Sequence, residues 1–252
     1  MAVESDAALR DGALPVPDGE LRWRVTGIRD DDELAYRRGG LDSLRDLERA
    51  LRVANAEIAD FDRVLDFGCG SGRVMRHMAE IAERVDLHGC DIDADAIDWA
   101  SRNLPFGTFA TNDGLPPLPY GDAYFDLVVN HSVFTHLPED YQDAWLEELR
   151  RVVRPGGLLV LSVAGPHAFA GLVQSWLDWP ADPSHLQRTM AEKGFLYIEE
   201  DGWQGTHFPD FYHSTFHSPS YVLEHWGAYF TVLAYLPQGG LDYQDVVLLR
   251  RD

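Results

Sequence analysis

Val64-Leu65-Asp66-Phe67-Gly68-Cys69-Gly70-Ser71-Gly72-Arg73-Val74 decides how the rest of the chain is read. The apolar run ending at Phe67 predicts a strand, and the three glycines that follow predict a sharp turn. Val74, Met78, Ile81 and Val85 then recur at helical spacing. Glycine removes the Cβ where a ligand must approach the backbone, and the start of the next helix would stand beside it. A dinucleotide-type turn, G-x-G-x-x-G, starting from Gly68 or Gly70 would need glycine where Arg73 or Met75 stands. The acid before the turn, Asp66, suits a ligand carrying an ammonium group rather than a pyrophosphate. A strand-end cap is the plainer reading of that residue.

Downstream the same rhythm continues. DLHGCD (86–91) predicts a second strand, Asp93 a cap for the helix over 94–104, GTFATN (107–112) a third strand and FDLVVN (125–130) a fourth. After Pro138 a helix would bury Tyr141, Trp145, Leu149 and Val152, and RPGG turns the chain into a fifth strand, LLVLSV. FTVLAYLP and DVVLLRR are separated by too few residues for a parallel crossover, so the last strand should run antiparallel to its neighbours. The expected fold is α/β and Rossmann-like: a seven-stranded, mostly parallel sheet with one antiparallel strand and helices on both faces. Upstream, residues 1–19 read as a mobile arm. Residues 20–62 read as a helical lid with a Leu41, Leu44, Leu47, Leu51 stripe and a hinge at Gly39-Gly40. Residues 63–252 form the main domain, with an insertion over 165–217.

The second strand ends at Asp91, where a carboxylate can accept hydrogen bonds from ribose hydroxyls, the bland alternative being a solvated loop acid. With these residues in view, the stretch from Val64 to Val163 resembles the class I S-adenosylmethionine-dependent methyltransferases. VLDFGCGSGRV matches their first motif, GCDID the second-strand motif, NDGLPPLPYGDAYFDLVVN the third and fourth strands, and LRRVVRPGGLLVLSV the fifth. The stretch SVFTHLPEDYQDAWLEELRRVVRPGG, the opening ELRWRVTG and the closing FYHSTFHSPSYV look like a bacterial subgroup of stand-alone small-molecule enzymes. The resemblance implies S-adenosylmethionine as cofactor. Asp66, Gly68 and Gly70 would surround its methionine portion, Asp91 the ribose, and Ile92 the adenine, with Asn112, Asp113 and Gly114 at the adenine edge. Asn130 would lie under the methionine chain. Arg24, Tyr36 and Tyr212 are the expected substrate contacts, with surface packing the alternative for Arg24 and Tyr36.

The insertion holds ten aromatics and half of the ten histidines, which suggests a cap over a substrate pocket or, more plainly, a small satellite core. If the acceptor must lose a proton, His131, His136, His213 or His217 is the expected base, the alternative being a histidine satisfied by backbone hydrogen bonds. His207, His213 and His217 lack the spacing of a metal site, and none is expected. Cys69 and Cys90 read as buried fillers, too few for a disulfide framework, and the first residues have neither a basic nor an apolar leader segment, so a reduced cytoplasm is expected. No apolar run is long enough to span a bilayer. Over 252 residues, 42 acids against 21 bases give a formal charge of −21, which opposes a phosphate backbone and leaves nucleic acid disfavoured. The expected activity is methyl transfer to O, N or C of a small molecule in specialised metabolism. Two rivals stand beside it: a regulatory protein that binds the cofactor without catalysis, and a methyltransferase acting on a macromolecule.

Overall fold

The computed structural model describes residues 11–12, 14–27, 32–175, 183–199 and 207–252. Two helices, α1 (Gly19–Thr26) and α2 (Glu33–Val53), precede the sheet. Strands β1 (Arg63–Phe67), β2 (Asp86–Asp91), β3 (Gly107–Thr111), β4 (Phe125–Val129) and β5 (Val153–Val163) are parallel, and α3 (Ala94–Asn103) and α4 (Glu139–Val152) connect them. After α7 (Pro219–His225) come β8 (Thr231–Gly240) and β9 (Gln244–Arg250). The strand order is β3-β2-β1-β4-β5-β9-β8, and β9 runs antiparallel to both neighbours. The expected seven-stranded sheet with one reversed strand is therefore the observed one. Asp93 caps α3 by accepting from the backbone of Asp95 and Ala96, as expected.

The sheet is apolar on both faces because each is covered. On one side Phe67, Phe134, Trp145, Leu149 and Trp226 join α4 and α7 to the strands. On the other, Leu44, Leu47, Leu51, Met75 and Met78 join α2 to them.

Three local expectations need correction. The hinge at Gly39-Gly40 does not exist, since α2 runs unbroken through both. A Cβ on Gly40 would stand 2.0 Å from the Arg73 carbonyl oxygen, so glycine there lets the helix lie directly on the exit of the glycine turn. The segment after that turn is a 3-10 helix, Met75–Ile81, rather than a regular α-helix, though Val74, Met78 and Val85 are buried as the pattern predicts. Part of the expected arm is packed: Asp11 is buried and accepts from Arg37 and from the fully buried Arg76, both at 2.6 Å. Removing one partner of such a pair would strand a buried charge. Residues 1–10 lie outside the described residues.

The insertion divides in two. Helices α5 (Pro166–Ser175) and α6 (Pro183–Lys193) with strands β6 (Phe195–Ile198) and β7 (Ser214–His217) enclose a small core of Ala168, Met190, Leu196 and Phe216. That part is the satellite core, and it lines no part of the pocket at the strand ends. Among the insertion's described residues only His207, Phe208, Phe211 and Tyr212 reach that pocket.

Candidate functional site

The pocket opens at the C-terminal ends of β1, β2 and β4, where parallel strands leave backbone groups and loops facing a ligand. Its floor is the glycine turn. Gly68 has φ +82°, a region that costs any other residue about 1–3 kcal/mol, and a Cβ there would lie 2.1 Å from Val133. Asp66, 4% exposed, keeps one carboxylate oxygen, Oδ2, without a hydrogen-bond partner. Burial and the nearby Asp91 charge push its pKa up to about 7. Asp91 accepts from the Gly70 amide through Oδ2 (2.7 Å) and from the Asp93 amide through Oδ1 (2.9 Å). Each oxygen retains a second lone pair for a ligand hydroxyl. Burial raises the Asp91 pKa as well.

Ile92, Asn112 and Gly114 line one end of the pocket. Asn112 holds its neighbour's carbonyl through Nδ2, leaving Oδ1 buried without a partner. Asp113, expected at the adenine edge, is exposed and is not among the residues that line the pocket. Asn130 is buried beneath the turn, where its Nδ2 donates to the Phe67 carbonyl at 2.7 Å. It braces β1 against β4 and does not line the pocket. Directly after it the chain turns through Ser132 at φ +65°, and strain of this kind collects where side chains are held for function.

The roof comes from two distant segments. From α1, Val25 lies over Gly70, where a Cβ would meet it at 2.6 Å. Trp23 meets Phe208 edge-on, and Phe208, Tyr212 and His136 form a stack with centroid separations of 4.4 Å and 3.9 Å. Phe211 covers Gly114, and Trp145 donates to the Gly114 carbonyl from below. Arg24 lines the pocket, yet its guanidinium is committed. It donates to Asp93 and Asp95 at the start of α3 and meets His207 Nε2 at 3.0 Å. It clasps the roof to the floor, which agrees with the packing alternative for this residue more than with substrate contact. Tyr36 is buried with its hydroxyl 2.9 Å from Ser71 Oγ and faces a neighbouring cavity instead. Tyr212 does line the pocket.

Of the four histidines, His131 and His136 line the pocket and the other two do not. His217 is buried against Phe195 and Trp226 with Nε2 on Gln142 Oε1, and His213 packs edge-on against Tyr197. Both belong to the packing of β7. His136 Nδ1 donates to the His213 carbonyl at 3.2 Å, which fixes the tautomer and leaves the Nε2 lone pair. Burial lowers its pKa to about 4, and burial beside the Arg73 charge lowers that of His131 to about 3. Among the described residues no cluster of His, Cys, Asp or Glu could hold a metal ion.

Residues 64–157 match the family model described as a methyltransferase domain. Over those residues the chain carries a methyltransferase domain, and its relatives, among them a probable S-adenosylmethionine-dependent methyltransferase of Mycolicibacterium smegmatis, 30% identical over 56% of this chain and 51% of that protein, support the class I S-adenosylmethionine-dependent type. Relatives of this methyltransferase domain include a fatty-acid O-methyltransferase of Mycolicibacterium smegmatis, 31% identical over 59% of this chain and 55% of that protein. A malonyl-[acyl-carrier protein] O-methyltransferase of Enterobacter lignolyticus is 30% identical over 53% of this chain and 51% of that protein. The chain spans about half the length of these relatives. Among solved structures, the PH0226 protein of Pyrococcus horikoshii superposes with a TM-score of 0.59 at 18% identity, covering 85% of this chain and 91% of that one. The glycopeptide N-methyltransferase MtfA complexed with sinefungin, a cofactor analogue, gives 0.54 at 16%, covering 84% and 87%. At such identities the likeness is one of fold.

The family's cofactor, S-adenosylmethionine, fits the residues present. Its α-ammonium group would meet the carboxylate of Asp66, whose Oδ2 lacks a hydrogen-bond partner, and the glycine turn leaves the backbone open to it. Sequence reasoning missed Arg73, Val25, Val133, Trp145, Phe208 and Phe211 as pocket residues. The double glycine in α2 was the available signal for Arg73, whose carbonyl it receives.

Proposed function

We propose that the protein transfers the methyl group of S-adenosylmethionine to an oxygen, nitrogen or carbon nucleophile of a small molecule, in specialised metabolism and in the cytoplasm. The observation that carries this reading is Asp66: a buried carboxylate without a partner for Oδ2, under a glycine turn, beside a second acid at the next strand end. Buried charges are ordinarily paired, and a ligand ammonium is the natural partner. Asp66 with Gly68 and Gly70 would hold the methionine end, Asp91 the ribose, and Ile92, Asn112 and Gly114 the adenine. The bound cofactor supplies an activated methyl group on a sulfonium. The chain then has to align the acceptor, exclude water and, for some acceptors, remove a proton. Val25, Phe208, Phe211 and Tyr212 do the excluding. His136 is the better-placed base, neutral at cytoplasmic pH with Nε2 free to accept. Its low pKa makes it a weak one, so alignment carries most of the rate.

A small acceptor is favoured over RNA by the net charge of −21, although one relative is a tRNA N(3)-methylcytidine methyltransferase of Schizosaccharomyces pombe, matched over 38% of this chain. Titration calorimetry with S-adenosylhomocysteine tests the reading. Micromolar binding is expected, and absence of both heat and thermal shift at millimolar ligand would overturn it.

A further inference from the structure

Beside the cofactor pocket lies a second cavity that differs from it in its acids. The cofactor pocket is lined by Asp66, Asp91 and Asp93 together with Arg24 and Arg73. The second cavity, between α1, α2 and the β8–β9 hairpin, has no Asp or Glu among the described residues that line it, and it has two arginines, Arg22 and Arg73. In a chain with twice as many acids as bases this is a local inversion of charge. Arg22 is occupied: it donates to the Pro17 carbonyl at 2.7 Å and faces Glu33 at 3.8 Å.

Arg73 is not occupied. It is 9% exposed, its Nε is enclosed without a partner, and its guanidinium forms no hydrogen bond or ion pair with any described residue. Burying a cation without a hydrogen-bond partner is costly, and burial lowers its pKa, with Tyr36 and the Asp66 carboxylate acting in the opposite direction. Every other buried arginine cited above has a carbonyl or carboxylate to hold. The two cavities meet at Val25, Arg73, His131 and Ser132, at the end of β4. Near Arg73 the walls supply apolar surface from Ala35 and Leu241 and hydrogen-bonding groups from Ser132 and Gln244, whose Oε1 is buried without a partner.

We infer that this second cavity is the acceptor chamber and that it takes a small molecule bearing a carboxylate, held by the planar fork of Arg73. The inference rests on the methyl-transfer reading above. It separates the two ligands by charge: the acid-lined pocket takes the cationic cofactor, and the acid-free chamber takes an anionic acceptor. It also gives the arginine a purpose in a protein whose overall field repels anions, since only a buried local cation can reverse that repulsion at short range. A guanidinium fork matches a carboxylate in two parallel hydrogen bonds, and the apolar walls suit the body of an aliphatic or aromatic acid.

The test uses full-length protein saturated with S-adenosylhomocysteine. Octanoate and benzoate are titrated against octanamide and benzamide, with heat and thermal shift as readouts. At least one carboxylate should bind, and its amide should bind at least tenfold more weakly. Arg73→Gln should lose carboxylate affinity at least tenfold, a larger loss than any it shows for S-adenosylhomocysteine, whose pocket Arg73 also borders. Because the native guanidinium is unpaired, the ligand-free variant should melt no lower than wild type. Should Arg73→Gln fail to fold, Arg73→Lys keeps the charge and loses the fork, and a severalfold loss of carboxylate affinity is expected. Absence of carboxylate binding, equal binding of acid and amide, or carboxylate affinity untouched by either variant would overturn the inference. So would a loss of S-adenosylhomocysteine affinity unmatched by loss for 5′-methylthioadenosine, which lacks the amino-acid end, because the arginine would then serve the cofactor's own carboxylate. Failure of wild type to bind S-adenosylhomocysteine is a separate result and strikes the methyl-transfer reading itself.

Discussion

The floor and the roof of the cofactor pocket are built by different means. The floor is local: Asp66 and the glycine turn follow one strand, Asp91 ends the next, and register sets them side by side, with Asp66 opposite Gly89 and Phe67 opposite Cys90. Its working parts are largely backbone, held by the ladder and by the Gly70 amide on Asp91. The roof joins segments 183 residues apart, through Arg24 and His207, and its working parts are side chains: one guanidinium clasp and a stack of rings. A floor made of backbone can be coded by a short motif and can define the cofactor. A roof made of long-range side-chain contacts is the part that governs entry and release.

Mutations should separate the two. Gly68→Ala ought to have the largest effect, since it combines the strain of φ +82° with a 2.1 Å approach to Val133. Cofactor affinity should drop about a hundredfold or more, measured by calorimetry, and a drop below threefold would show that the turn rearranges freely. Asp91→Ala should cost roughly 1.5–3 kcal/mol of binding with the fold intact, the range for a hydrogen bond to a charged group. An unchanged dissociation constant would mean the ribose is held elsewhere.

A third effect is one of pH. The Asp66 pKa is raised from 3.8 to about 7, so the group stabilises the ligand-free fold fully below 3.8, and that contribution is lost as pH rises through 7. The ligand-free melting temperature should therefore decline over that window. Binding of an ammonium-bearing ligand needs the ionised form, so affinity should rise about tenfold from pH 6 to pH 8. A flat profile in wild type, or an equal slope in Asp66→Asn, would remove Asp66 from that role. The smallest effect belongs to the roof. Arg24→Gln breaks a clasp at the pocket edge, where ion pairs contribute about 0–1 kcal/mol, so stopped-flow dissociation of the cofactor should quicken only severalfold. A change as large as that of Asp91→Ala would mean that roof and floor are one unit.

The histidines mark where sequence reading reached its limit. His131 and His136 follow β4 and reach the pocket because the strand carries them there. His217 ends β7 and His213 immediately precedes it, and the pairing of that strand with β6 sets them against Tyr197, Phe195 and Trp226. Alternation along four residues cannot say which face of a two-stranded ribbon meets a ligand. Arg24 misled for a related reason: its type and place were right for a ligand contact, but Asp93, read only as a helix cap, also claims it.

The sequence alone determined the strand succession, the reversed last strand, the Asp93 cap and the acid-glycine-acid constellation. Each of these depends on local periodicity, turn chemistry or loop length, which short-range sterics and hydrogen bonding impose within a few residues. Only the tertiary structure decided that α2 has no hinge, that Asn112 and Gly114 face the pocket while Asp113 does not, and that Arg73 stands buried without a partner between two cavities. Those facts depend on which distant side chains share a space, and burial and charge pairing are properties of that shared space.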